Sequence, residues 1–158
     1  MVLWLCQPSW RSLGAGGAVA VAGEALRVWA AGHLEKSREV TRSGPYRWTR
    51  HPLYLGSAVI ALGIAIASAS AAAASLIIVY VATAFPAAIL AEEAHLREKF
   101  GDEYDTYASN IAVPAGRRFS LARARRNRED QAIVGVFTGF LLLALKLLLH
   151  PLSGFRYD

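Results

Sequence analysis

Long apolar runs alternate with short, densely charged stretches along this chain. The first run extends from about Leu13 to Leu34, the second from Leu53 to Ser68, the third from Ala71 to Ala91 and the fourth from Ala132 to Leu149. A helix needs about 20 mainly apolar residues to cross the hydrocarbon of a bilayer. The pattern therefore predicts an all-α, polytopic helical membrane protein with about four transmembrane helices, residues 1–158 forming a single membrane domain. A soluble helical bundle is the alternative. It would scatter its charges among its apolar residues, whereas here the two are segregated.

Each run carries its own signals. Gly14, Gly16, Gly17, Ala20 and Gly23 make the first rich in small residues, which suits close helix contact in lipid. Glu24 and Arg27 interrupt it at a spacing that puts them on one face, where they are expected to pair. Only Ser68, Ala69 and Ser70 lie between the second and third runs, which predicts a tight helical hairpin. In the last run Gly135 and Gly139 have the spacing of a close-packing seam, and His150-Pro151 is expected to end the helix. Residues 1–10 are too short for a cleavable signal peptide and are broken by Pro8. They are expected to form an interfacial arm or the remnant of a helix.

Charge adds an orientation. Of the 17 Lys and Arg residues, 13 fall between Glu35 and His51 or between His95 and Gln131. Basic loops stay cytoplasmic, and four spans put both stretches on one side. The expected arrangement is multi-pass, in a bacterial inner membrane, with both basic stretches cytoplasmic and both termini outside. The net charge of +5 comes from these stretches. The run Arg117 to Arg126 is read as a topology signal that touches anionic membrane lipids, with no nucleic-acid partner. The single cysteine, Cys6, excludes an internal disulfide, and no Cys or His cluster offers a metal site.

Two clusters carry the candidate chemistry, within residues 38–56 and 92–107. In the first, Gly44-Pro45 forces a turn, Arg50 and His51 stand at the mouth of the second helix, and Pro52 occupies its first turn. Tyr54 and Gly56 follow, and Gly56 leaves room for a helix or a ligand. An interfacial belt explains Arg47 and Trp48 equally well, but not the ordered string Arg50-His51-Pro52-x-Tyr54-x-Gly56. The second cluster opens with Glu92-Glu93 at the end of the third run. Two acids there are costly unless paired or hydrated. The hairpin must bring Arg50 and His51 beside them. A structural ion pair at the hairpin base is the plainer explanation.

The clusters resemble the signature of the membrane methyltransferases related to isoprenylcysteine carboxyl methyltransferase and the phospholipid N-methyltransferases. The likeness rests on Gly44, Tyr46, Arg50, His51, Pro52, Tyr54 and Gly56, and then on Glu92, Glu93, Leu96, Phe100, Gly101, Tyr104 and Tyr107. It covers roughly Gly23 to Pro114 and is weaker beyond, where Asn127-Arg128-Glu129 and the last run match only some bacterial members. The resemblance implies an enzyme that holds S-adenosylmethionine in a cytoplasm-facing pocket and methylates a lipophilic or small membrane-accessible acceptor. It implies that Val40, Thr41 and Tyr46 wrap the cofactor and that His51, Pro52, Leu53 and Tyr54 line its nucleoside and methionine portions. Glu92 would meet its charged amino-acid end. Arg50 and Glu93 would be the catalytic pair, Arg50 orienting the acid or polarising the acceptor. Such a reaction is helped by positioning and water exclusion and needs no metal.

One departure bears on the acceptor. The carboxyl methyltransferases carry an Arg one turn before the acidic pair, where this chain has Ala88, and residues 85–91 contain no basic side chain. An amine, thiol or other lipid-borne nucleophile fits better than a carboxylate. Two other functions stay open at this point. One is an NADPH-dependent membrane reductase of the sterol reductase type, with the arginines between 117 and 128 on the ribose phosphate. The other is a non-catalytic membrane factor that keeps the fold.

Overall fold

The computed structural model describes residues 2–36, 38–109 and 116–149. They form α1 (Val2–Leu5), α2 (Trp10–Ala31), a 3-10 turn at Gly44–Arg47, α3 (Pro52–Ser68), α4 (Ala71–Phe100), α5 (Asp102–Ser109), α6 (Leu121–Arg126) and α7 (Glu129–Leu149). No strand occurs among the described residues.

Local signals explain the boundaries. Ser9 and Ser12 cap α2 reciprocally, Ser9 Oγ accepting from Ser12 N at 3.1 Å and Ser12 Oγ from Ser9 N at 2.9 Å. The helix stops at Ala31, short of the expected Leu34, because Gly32 to Leu34 turn out of it. Pro52 opens α3, where its missing N–H does no harm. The hairpin turns at Ala69, which is left-handed (φ 47°), and Ser70 Oγ caps α4 by accepting from Ala73 N at 3.3 Å. The third apolar run does not end as a helix at Ala91. It continues to Phe100 as one 30-residue rod, about 45 Å long, and so carries Glu92 and Glu93 rigidly beyond its apolar part.

Two helices, α4 and α7, are long and apolar enough to cross a membrane. α3 is apolar but shorter, at 17 residues, and α2, interrupted by Arg11, Glu24 and Arg27, does not reach the same measure. The two long helices are not the core of a soluble bundle. Only 6% of the apolar stretch of each is buried, and side chains such as Ile78, Val79, Val134 and Phe137 face outward. That much exposed apolar surface belongs in lipid.

Packing centres on α2 and α3. A Cβ added to Gly16 would lie 2.3 Å from Gly63 O, one on Gly23 2.7 Å from Gly56 O, and one on Gly63 2.6 Å from Gly16 O. Backbone meets backbone, so only glycine fits. Gly135 and Gly139 make no such seam, since a Cβ on either meets nothing within 4 Å. α7 instead packs through Leu143, Phe140, Ala144 and Leu147 against a cluster with Leu13, Ala67 and Ala73. Nor do Glu24 and Arg27 pair by hydrogen bonds. Arg27 Nη2 and Nε donate to Glu129 at 2.9 and 3.2 Å, and Nη1 donates to Ser57. Glu24 keeps its oxygens buried with no partner among the described residues. The carboxylate that α7 delivers fits the guanidinium fork better than one on the same helix. His150-Pro151 lies outside the described residues.

The N-terminal arm folds across the hairpin end. Lys146 Nζ donates to the carbonyls of Leu3, Trp4 and Cys6 at 2.7, 3.0 and 2.7 Å, and Gln7 N to Ser68 O at 2.7 Å. The seam makes a sharp prediction. Gly63→Ala should lower stability in detergent by about 1–3 kcal/mol through overpacking. Gly135→Ala should be neutral or raise it by up to about 1 kcal/mol. Denaturant or thermal unfolding measures both, and equal effects would contradict the seam.

Candidate active site

The site lies at the end of the α3–α4 hairpin opposite its turn. Gly44 has φ +59° and backs onto the imidazole of His33, where a Cβ would come within 2.5 Å of the ring. Glycine is required there twice over. The turn it opens buries Pro45 and Tyr46. Gly101, at φ +51°, ends α4 and turns α5 back. α5 then buries Tyr104 and Tyr107 against Val40, Leu96 and Phe100. The Tyr107 hydroxyl donates to Tyr46 O at 3.0 Å, which locks the second cluster onto the first.

Glu93 joins the same parts by charge. Its Oε1 lies 2.9 Å from His51 Nε2 and 3.2 Å from Arg50 Nη1, and its Oε2 lies 3.2 Å from Arg97 Nη2. The residue is buried, and the hydrogen bond from His51, followed by the nearby Arg50 charge, holds its carboxyl below the ordinary carboxylate range. Glu92, its neighbour, is exposed. Adjacent helix positions diverge by about 100°, so Glu93 takes the ion pairs with Arg50 and His51 while Glu92 meets the Tyr54 hydroxyl at the cavity.

A cavity of about 500 Å³ opens between these elements, in the size range of small-molecule sites. Val40, Thr41, Tyr46, Arg50, Leu53, Tyr54 and Glu92 line it. The structure thus brings most of the residues singled out from the sequence to one wall-to-wall space. His51, Pro52 and Glu93 do not line it: Pro52 is fully buried in the first turn of α3, and His51 and Glu93 stand behind the wall as a hydrogen-bonded pair. Lining residues that the sequence did not assign to the site include Arg27, Glu35, Lys36, Glu39, Ser57, His95 and Asn127. His95 was findable, being three residues from Glu92 and so on the same face.

Electrostatics set the tone of the cavity. Burial, and secondly the Glu92 charge, push the Tyr46 phenol far up. Burial, and secondly Tyr104, push Tyr107 up to about 12. Both are neutral donors at any physiological pH. The Tyr104 hydroxyl is buried and has no hydrogen-bond partner among the described residues. Such a group costs free energy unless something fills its valence, and it belongs to a side chain of the cavity wall.

Part of the basic run is paired within the chain. Arg123 Nε and Arg126 Nη2 donate to Glu35 at 2.8 Å each, and Arg117 Nη2 to Glu39 at 2.6 Å. Two acids that follow α2 offer these three arginines partners, although Arg126 stays exposed, as do Arg118, Arg125 and Arg128.

The pairing of Glu93 has a pH signature. Folding lowers its pKa below the ordinary 4.5. Its contribution is therefore complete above that value and is lost as pH falls through the lower, folded-state value. Glu93→Gln should cost about 1–3 kcal/mol at neutral pH and flatten the loss of stability below pH 4.5. Unfolding midpoints across pH 3 to 7 measure it, and a mutant that tracks wild type throughout would contradict the role.

Known proteins resemble part of this chain. A nickel-cobalt-cadmium resistance protein, NccN of Alcaligenes xylosoxydans xylosoxydans, is 34% identical over 84 residues, covering 52% of this chain. The match spans 39% of that relative, less than half its length. No solved structure matches significantly. The sequence model for phospholipid methyltransferases matches residues 17–103, more than half of the chain, and takes in the whole first cluster and the acidic pair. The chain belongs to the phospholipid methyltransferase family, whose members transfer methyl groups in a membrane context.

Proposed function

We propose that this protein is an S-adenosylmethionine-dependent methyltransferase with a lipophilic or small membrane-accessible acceptor. The observation that carries the reading is the convergence of both clusters on one cavity, which Glu92 lines beside Tyr54 with no ion pair of its own among the described residues, while Glu93 holds the wall together. The orphaned Tyr104 hydroxyl supports a ligand there. S-adenosylmethionine, when bound, supplies an electrophilic methyl on a sulfonium for in-line displacement.

The chain's own residues do the rest. Glu92 takes the ammonium of the cofactor's amino-acid end, and Val40, Thr41, Tyr46, Leu53 and Tyr54 surround the remainder. Arg50 gives one nitrogen to Glu93 and keeps further donors for the cofactor carboxylate or the acceptor. Glu93 acts through Arg50 and His51, and is a positioning residue. The four tyrosines and three leucines of the lining exclude water, which strengthens each charged contact. An amine or thiol acceptor is favoured over a carboxylate. Residues 85–91 offer no cation, and Arg27, also in the lining, is already matched by Glu129. A reductase would need arginines between 117 and 128 for a ribose phosphate, and three of them are engaged with Glu35 and Glu39.

Orientation belongs to the same proposal: α2, α3, α4 and α7 span an inner membrane, with the cavity cytoplasmic. In a Cys6→Ser background, cysteines at Ser37 and Ser120 should label from the cytoplasmic side and one at Ser70 from the other. Labelling of Ser70→Cys with the other two would overturn the topology. Binding tests the chemistry. Isothermal titration of S-adenosylmethionine should show Glu92→Gln weakened by about tenfold or more, the worth of a charge-assisted hydrogen bond. Glu98→Gln, on an exposed part of α4, should match wild type. Equal effects, or saturable NADPH binding without methyl-donor binding, would contradict the proposal.

A further inference from the structure

Residues 32–36 and 38–41 lie outside any helix after α2, and Leu34, Glu35, Lys36, Glu39, Val40 and Thr41 line the cavity. Backbone outside a helix must find partners for its polar groups, and the last carbonyls of a helix need them too. Within the segment the bonds are modest: Arg38 N donates to Glu35 O at 3.1 Å and Glu35 N to Thr41 Oγ1 at 3.2 Å. The partners come mainly from about 90 residues further on. Asn127 Nδ2 donates to both Ala31 O and Leu34 O at 2.9 Å. Ser120 N donates to Gly32 O at 3.0 Å, and Arg123 bridges that carbonyl to Glu35. Two residues past Asn127, Glu129 binds Arg27 at the cavity's lining. All of these lie beyond residue 103, where the match to the family ends.

We infer that Ser120, Arg123, Asn127 and Glu129 form a brace, beyond the family match, for the cavity wall that residues 34–36 and 39–41 make, with Asn127 as the positioning residue that sets Leu34 and Glu35 at the cavity. Its effect on ligand affinity rests on the methyl-donor reading, but its effect on the wall does not. Asn127 is suited to the task because a single amide nitrogen with two protons meets two carbonyls, Ala31 O at the end of α2 and Leu34 O in the segment beyond it. An aspartate of the same shape would present only acceptors to those carbonyls.

The test uses the full chain in detergent with Cys6→Ser and a reporter cysteine at Val40, which is buried in this wall. Asn127→Asp should raise the rate of maleimide labelling at Val40→Cys by about tenfold, the effect of two lost neutral hydrogen bonds. Labelling at Ser70→Cys, at the far end of the hairpin, should not change. In the protein without reporter cysteines the same substitution should weaken S-adenosylmethionine binding by a similar factor. Arg125→Ala, an exposed neighbour on α6, should alter neither. Asn127→Ala is measured in parallel, so that the answer does not hang on one variant's folding. Unchanged labelling at Val40→Cys overturns the inference, as does an equal rise at Ser70→Cys, which means general loosening. Faster labelling at Val40→Cys with unchanged donor affinity overturns the positioning role. A wild-type protein that binds no methyl donor overturns the methyltransferase reading alone, and the labelling still decides the wall.

Discussion

A helical hairpin is held by its turn at one end and by nothing in particular at the other. In this protein the turn is at Ala69, and the open end is closed by the carboxylate of Glu93, which gathers His51 and Arg50 from the start of α3 and Arg97 from its own helix. Two guanidinium groups and a hydrogen-bonded imidazole on one buried acid offset the cost of removing that acid from water, and they fix the spacing of α3 and α4 at the level of the cavity. The tyrosines of α5 then close over the same place. If Glu93 is neutral or gone, Arg50 loses its anchor, and the part of the wall that faces Glu92 loses its definition.

Two other constraints hold the frame that Glu93 locks. Glycines 16, 23, 56 and 63 let α2 approach α3 at backbone distance, which brings Arg27 and the residues after α2 near the hairpin. The arginines and Asn127 that precede α7 hold those residues where the hairpin needs them. A bulkier seam would carry α2, and one wall of the cavity with it, away from α3.

Much of this was legible in the residues. The hairpin follows from three small residues between two apolar runs, and the meeting of Arg50, His51 and an acid follows from the hairpin alone. What periodicity could not decide was which of two adjacent acids takes the ion pairs, because both fit the end of α4 and only the position of α3 separates them. Nor could it tell the seam of Gly16 and Gly23 from the similar spacing of Gly135 and Gly139, since the outcome depends on whether a partner helix is present. The pairing of Arg27 with Glu129, and of Glu35 with Arg123 and Arg126, joins residues 88 to 102 positions apart. A nearer partner, Glu24, was the better guess from the sequence. It lost because the fold delivers a bidentate carboxylate from α7.

The central claim is that this cavity serves methyl transfer to a molecule reached from the membrane. It is tested most directly by incubating detergent-solubilised protein with methyl-labelled S-adenosylmethionine and a membrane extract, then separating lipid-soluble, small-molecule and protein fractions. The account predicts label in the lipid-soluble or small-molecule fraction, and none when Arg50→Ala replaces the wild type. Folded protein that binds the donor yet labels no fraction, or an Arg50→Ala variant that transfers as fast as wild type, would contradict it.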